Sequence, residues 1–338
     1  MIRIGVVGYG YWGPNIVRNF SRLTNATVAW VCDVNPKTLK EIPLIYPTIK
    51  TTNRYKDLLE DPSLDAVVIV TPTSTHLPLA RLALLSGKHV LVEKPMTTTA
   101  REARVLVNLA KRKKRILMVD HTFIYTPAIR KLKAIIKSKQ LGDIYYIDSV
   151  RTNLGILQKD ANVVYDLATH DFSIMDYLFH QMPKTISATG ITQKDLKQET
   201  VAHIGSTYKN GLFVHCHVNW LSPIKIRRMM FIGTKKMLTY DDIEPSEKLK
   251  IYDKGVSFIK DPKQSYQLRI GYRSGSAVVP NIPLEEGLYG MAQEFIRAIR
   301  LKRPPVTDGS MGLRVVTCLE TATKSLRAKG KPVTVKKL

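Results

Sequence analysis

The chain has 338 residues, with 52 Lys and Arg against 28 Asp and Glu, for a formal net charge of +24. That length accommodates roughly two domains with sizeable cores, and no apolar run reaches the about 20 residues that a bilayer-spanning helix needs. The three cysteines, Cys32, Cys216 and Cys318, lie too far apart for a disulfide framework or a close-spaced metal motif, and the chain opens on a strand pattern rather than on a basic segment with an apolar leader. A cytoplasmic protein without membrane attachment is expected, its thiols reduced and buried.

The first element, the apolar run Ile2–Val7, delivers Gly8, Gly10 and Gly13 in G-x-G-x-x-G spacing. Such a turn between strand and helix forms a dinucleotide site. The first glycine permits the tight turn, the second lets the backbone approach a pyrophosphate, and the third lets the helix pack close to the strand. The pyrophosphate then sits on unpaired N–H groups at the helix start. Twenty positions after Gly13, at the end of the apolar run Thr27–Cys32, stands Asp33. A carboxylate there accepts from both ribose hydroxyls of adenosine and repels a 2′-phosphate, so NAD rather than NADP is the expected cofactor.

Further strand-like runs follow at Ala66–Val70, His89–Val92 and Ile116–Val119, separated by helix-like stretches that include Asn15–Leu23, Leu77–Leu85 and Ala100–Lys113. Continuous apolar strands between amphipathic helices imply a parallel sheet covered on both faces. Thr99 and Glu102 form a capping-box pattern before the helix at Ala100. Ligands of such a sheet gather at the carboxyl ends of its strands. Here those ends carry Gly8, Asp33, Thr71-Pro72, Glu93-Lys94-Pro95 and Asp120-His121. The Lys94–Pro95 bond is an X–Pro bond, for which cis and trans are both accessible. The densest basic run, Lys111 to Arg115, ends a helical segment, where cations complement the helix dipole. Without zinc-finger spacing or an RNA-binding aromatic signature, the charge reads as a solvated basic surface that attracts an anionic substrate, not as a nucleic-acid footprint.

After about residue 142 the pattern changes to alternating strands at Asp143–Leu154, Thr185–Thr192, His203–Lys209, Leu212–Trp220, Lys225–Gly233, Met237–Asp241 and Lys248–Tyr252. Asn210-Gly211 is a two-residue hairpin signal. A mainly antiparallel sheet is expected, one face under helices and the other facing solvent or a partner. Helices near Leu284–Leu301 and Met311–Ala328 close the chain, stopped by Pro304-Pro305 and Gly330. His203, His215 and His217 occur on these strands; without a ligand-spacing motif they indicate a sheet surface or subunit interface, and no metal is expected. The helix Val163–His180 places Asp166 and His170 four residues apart on one face, where a carboxylate can fix the tautomer of an imidazole and raise its basicity.

The glycine turn with Trp12, the Thr71-Pro72 strand end with His76, the Glu93-Lys94-Pro95 triplet and the Asp166-x-x-x-His170 helix together resemble the glucose-fructose oxidoreductase, inositol dehydrogenase and MocA (Gfo/Idh/MocA) family. The likeness runs the whole chain, since Gly312 to Val316 and Leu319-Glu320 are similar to the family's ending. It implies an α/β protein: an N-terminal Rossmann domain, a doubly wound parallel sheet over residues 1–120, followed by an α+β domain over 121–338. That second part would bind substrate through a large, mainly antiparallel open sheet and form homo-oligomers, a dimer or tetramer, with the helices of 284–329 closing the chain. It implies a cofactor set of Gly8, Gly10, Tyr11, Trp12, Gly13, Asp33, Thr71, Pro72, His76, Glu93 and Lys94, and a catalytic set of Lys94, Asp166 and His170. Removing hydride from a carbinol carbon requires its hydroxyl proton to leave. A neutral imidazole of His170 accepts that proton while the Lys94 ammonium stabilises charge on oxygen.

The segment His121-Thr122-Phe123-Ile124-Tyr125-Thr126-Pro127 stands where many members carry an Arg-containing segment. With Asn219 to Arg227 and Tyr240-Asp241-Asp242 it looks like the branch acting on nucleotide-linked sugars. His121, Tyr125, Tyr165, Lys225 and Arg227 are the substrate candidates, the last two, with Arg228, meeting a diphosphate. A UDP- or dTDP-hexose is the expected substrate. A free sugar or cyclitol such as inositol is the alternative, and a catalytically silent NAD-binding sensor a further one.

Overall fold

Short apolar strands separated by amphipathic helices build a parallel sheet in the N-terminal half of this computed structural model, which describes residues 1–155, 161–194, 196, 198–259 and 269–338. The elements run β1 (Ile2–Val7), α1 (Gly13–Ser21), β2 (Ala26–Cys32), α2 (Pro36–Ile45), β3 (Lys50–Thr52), α3 (Tyr55–Glu60), β4 (Ala66–Ile69), α4 (His76–Leu85), β5 (His89–Glu93), α5 (Ala100–Lys113) and β6 (Leu117–Asp120). The strand order is β3-β2-β1-β4-β5-β6, all parallel. Every residue of β4 and β6 is buried, as a strand covered on both faces requires. The order reverses beside β1, so the crevice at the carboxyl ends of β1 and β4 is the topological switch point of a doubly wound sheet.

The second sheet follows α6 (Pro127–Lys137) and β7 (Ile144–Leu154), a π-helical turn over Val164–Ala168, and α7 (Thr169–Phe179). Its remaining strands are β8 (Thr185–Thr192), β9 (Glu199–Thr207), β10 (Phe213–Asn219), β11 (Leu221–Gly233), β12 (Met237–Asp241), β13 (Leu249–Ile259), β14 (Arg269–Val278) and, after helices α8 (Gly287–Leu301) and α9 (Gly309–Arg327), β15 (Val333–Thr334). The nine strands lie in the order β14-β13-β12-β11-β7-β10-β9-β8-β15, antiparallel except where β7 meets β10. One face carries Ile147, Ser149, Arg151, Cys216, Ile204, Met229 and Phe231, all buried. Ser149 and Arg151 both reach Asp171 of α7, so α7 lies on that face.

Three expectations change. The domain boundary falls after Thr126 rather than Asp120, and residues 285–320 join the first compact unit, leaving 127–284 and 321–337 to the second. The cause is packing that pattern does not encode. Glu286 at the start of α8 binds Arg18 of α1 at 2.7 Å, Phe295 meets Phe20 edge-on with ring centroids 6.3 Å apart, and Asp308 bridges Met118 at the edge of β6. The Asn210-Gly211 connection is longer than a two-residue turn, since Tyr208 and Leu212 pair across it. Only Gly211, at φ +82°, is left-handed, whereas a type I′ turn needs two such residues. The helix expected from Val163 begins with the π-helical turn, an irregularity common at functional sites.

Candidate functional site

In the first unit the glycine turn has the geometry of a phosphate cradle. Gly8 has φ +94°, and a Cβ there would stand 2.4 Å from the Val70 carbonyl oxygen; at Gly13 it would stand 2.6 Å from that of Gly8. Around Gly10 nothing lies within 4 Å of that position, so the backbone is bare where a pyrophosphate approaches. Trp12 caps α1 without a side-chain hydrogen bond, leaving the first N–H groups for a ligand. The Asp33 carboxylate is held by the Tyr9 N–H at 2.6 Å and the Asn35 N–H at 2.8 Å. Each of its oxygens keeps accepting capacity for a ribose hydroxyl. These residues fit NAD. Tyr11 and Trp12 stand 77% and 45% exposed on the turn, in edge-to-face contact.

The ends of β4, β5 and β6 bring together the next group. Thr71 and Thr75 join hydroxyls at 2.6 Å. His76 is buried, its Nδ1 3.0 Å from the Pro95 carbonyl and its Nε2 2.8 Å from that of Thr71, so its ring braces two strand ends. The Lys94–Pro95 bond is cis. Glu93 and Asp120 are register partners across β5 and β6. Glu93 Oε2 accepts the Lys94 N–H at 2.8 Å, and Asp120 Oδ1 accepts the Thr122 hydroxyl. Burial, and then the neighbouring Asp120 charge, push the Glu93 acid well above the usual carboxylate range; burial also raises Asp120.

His121, a substrate candidate, is 1% exposed, and neither ring nitrogen has a hydrogen-bond partner among the described residues. Burial, helped by the Lys94 charge, lowers its pKa to about 3 and keeps the ring neutral. Tyr125, a further substrate candidate, is also 1% exposed, and its hydroxyl meets Thr307 Oγ1 at 2.8 Å. The turn before α6 folds it into the core.

In the second unit Asp166 belongs to the π-helical turn and His170 to the first turn of α7, both half-buried. Asp166 Oδ2 accepts the indole N–H of buried Trp220 at 2.9 Å. The turn is braced where the Tyr165 N–H donates to Asn162 Oδ1 at 3.1 Å and the Asn162 amide donates to Glu199 at 2.9 Å. Beneath α7, Arg151 lies 3.4 Å from Asp171, and Asp171 accepts the Ser149 hydroxyl at 2.6 Å. Pattern reading missed this buried network and Trp220, because an Arg within an alternating strand has the signature of a surface residue. Lys225 is exposed, while Arg227 pairs with Asp242 at 3.3 Å and Arg228 lies 3.8 Å from Asp241. The diphosphate-binding cluster expected there thus carries its own carboxylates.

On the opposite face of the sheet, His203 stacks on its register partner His217 with centroids 4.3 Å apart. His203 Nδ1 lies 3.3 Å from His215 Nε2, and His215 Nδ1 lies 2.7 Å from Asp148. Among the described residues no group of three or more His, Cys, Asp or Glu is placed to hold a metal ion. No helix among them is long and apolar enough to cross a membrane.

Residues 2–121 match the family profile described as "Oxidoreductase family, NAD-binding Rossmann fold", and residues 129–239 match the GFO/IDH/MocA C-terminal domain. Among curated proteins the chain is 26% identical over 321 residues to UDP-N-acetylglucosamine 3-dehydrogenase of Acidithiobacillus ferrooxidans, covering 93% of this chain and 94% of that one. It is 33% identical over 178 residues to the uncharacterized oxidoreductase YdgJ of Escherichia coli, about half of each chain. Among solved structures, the same Acidithiobacillus dehydrogenase superposes with a TM-score of 0.81 at 25% identity, over 97% of this chain and 98% of that one. An oxidoreductase of Magnetospirillum magnetotacticum does so with 0.81 at 26%, over 95% and 99%.

Proposed function

From a chain that belongs to the Gfo/Idh/MocA family of NAD-binding oxidoreductases, we propose an NAD-dependent dehydrogenase that oxidises a secondary hydroxyl of a nucleotide-linked hexose. NAD, when bound, supplies the hydride acceptor. The glycine turn and Asp33 bind and orient it. His170 accepts the proton of the reacting hydroxyl, Asp166 orients the imidazole, and Trp220 orients Asp166. Lys94 stabilises the negative charge that grows on oxygen as hydride leaves. The reading of the substrate rests on one observation above others, the near full-length similarity to a dehydrogenase of a UDP-sugar. The net charge of +24 supports it by favouring a dianionic ligand.

A free cyclitol is the second reading. It is favoured by the pairing of Arg227 with Asp242, which offsets charge at the expected diphosphate site, and by similarity at 26% identity over 221 residues to a scyllo-inositol 2-dehydrogenase of Bacillus subtilis. The face of the second sheet with the histidine cluster and the stacked Tyr146 and Phe213 is the proposed surface of self-association.

The test is NAD reduction with UDP- and dTDP-hexoses against free hexoses and inositol over a range of salt. Reduction with nucleotide sugars alone is expected, with KM rising as salt screens the diphosphate. Lys94→Ala should lower turnover by roughly two orders of magnitude or more while NAD affinity changes little. Robust reduction by a free polyol and none by any nucleotide sugar overturns the substrate assignment.

A further inference from the structure

Two carboxyls face each other at the ligand edge of the first sheet with too few hydrogens between them. Asp120 is 2% exposed, and among the described residues no N–H or hydroxyl donates to its Oδ2. Its register partner on the adjacent strand is Glu93, so the two carboxyls lie side by side at one strand end. Two ionised carboxylates cannot hydrogen-bond to each other, since each only accepts. A proton on one of them supplies the donor that Asp120 Oδ2 otherwise lacks. Both acids lie within the field of the Lys94 ammonium, and Glu93 Oε2 accepts the Lys94 backbone N–H at 2.8 Å. His121, which lies beside Lys94, is neutral and supplies no counter-charge.

We propose that Glu93 and Asp120 share one proton and act together as a single negative charge that positions the Lys94 ammonium for the reaction. The proton lies with Glu93, which burial and its neighbour disfavour as an anion, and the charge with Asp120, which the Thr122 hydroxyl and the Glu93 acid stabilise. One carboxylate balances one ammonium. Two would overbalance it and draw it back from a substrate oxygen; none would leave a cation in a poorly solvated site without a partner. Asp120 is therefore a positioning residue, acting through Lys94.

The arrangement makes the two acids interchangeable in charge. Glu93→Gln leaves the Asp120 carboxylate, and in Asp120→Asn the remaining Glu93 ionises against Lys94. Only the double variant removes the charge. Infrared titration of the wild-type protein without substrate should show a protonated carboxyl persisting at neutral pH and missing from each single variant. Each single substitution should lower kcat by several-fold, and the pair together by roughly tenfold more than the product of the two. A wild-type protein with no protonated carboxyl at neutral pH overturns the proposal, and so does a double variant whose loss equals that product. The proposal depends on the assigned role of Lys94 only in its kinetic arm. The infrared arm needs no substrate, so a failed substrate assignment and a failed shared proton give different results.

Discussion

Asp33 shows how one carboxylate serves two tasks. Two backbone N–H groups fix its position, and each oxygen keeps accepting capacity for the proposed ribose contact. Asp33→Ser removes the charge and should weaken NAD by roughly tenfold or more, the worth of charge-assisted hydrogen bonds, while relaxing discrimination against NADP. Parallel titrations with both cofactors check this, and wild-type protein that prefers NADP refutes the assignment. Asp33 stood out in sequence because its distance from the glycine turn is set by one strand-helix-strand repeat. Asp120 was read only as a strand-end residue, and Tyr125 as a substrate contact. Neither the acid facing Asp120 nor the burial of Tyr125 can be read from its neighbours in the chain, because both depend on which strand ends and turns the fold places together.

At the level of elements, α5 illustrates a signal that carries through unchanged. Thr99 accepts the Glu102 N–H at 3.2 Å, and the Glu102 carboxylate accepts the Thr99 N–H at 3.2 Å, a complete capping box. Thr99→Ala should cost about 1 kcal/mol of stability, seen as a lower urea midpoint with NAD affinity retained. Unchanged stability would mean that the cap contributes nothing. The apolar strands of the first sheet were equally legible, because burial on both faces imposes a local composition. The π-helical turn before α7 was not. Its i to i+5 spacing follows from docking of Val164, Leu167 and Ala168 into the buried layer and from the brace at Asn162, which periodicity over a few residues does not resolve. The hairpin at Asn210-Gly211 was located correctly by its residues, but its length was decided by the pairing of Tyr208 with Leu212.

Across the whole molecule, one half-buried and one buried imidazole set an acid limit to stability. His89 Nδ1 accepts the Ile116 N–H at 2.9 Å, and burial lowers its pKa to about 4; burial lowers that of His121 to about 3. Unfolded, both titrate near 6.5. Between those values the unfolded chain binds more protons than the folded one, so stability is full above about pH 6.5 and falls as pH drops toward 4. Urea midpoints at pH 7 and pH 5 should show that fall, and His89→Asn, which keeps an acceptor for Ile116, should reduce it. A His89→Asn protein with the wild-type pH response assigns the loss elsewhere. Pattern alone determined the tight glycine turn between β1 and α1, the alternation that forces a parallel sheet and the change to an antiparallel one, because each arises from local sterics and the periodicity of burial. Only the tertiary structure decided that residues 285–320 pack with the first sheet, that Arg151 and Asp171 pair beneath α7, and that Glu93 and Asp120 meet. Those outcomes depend on side chains distant in sequence competing for the same buried volume and the same few hydrogens.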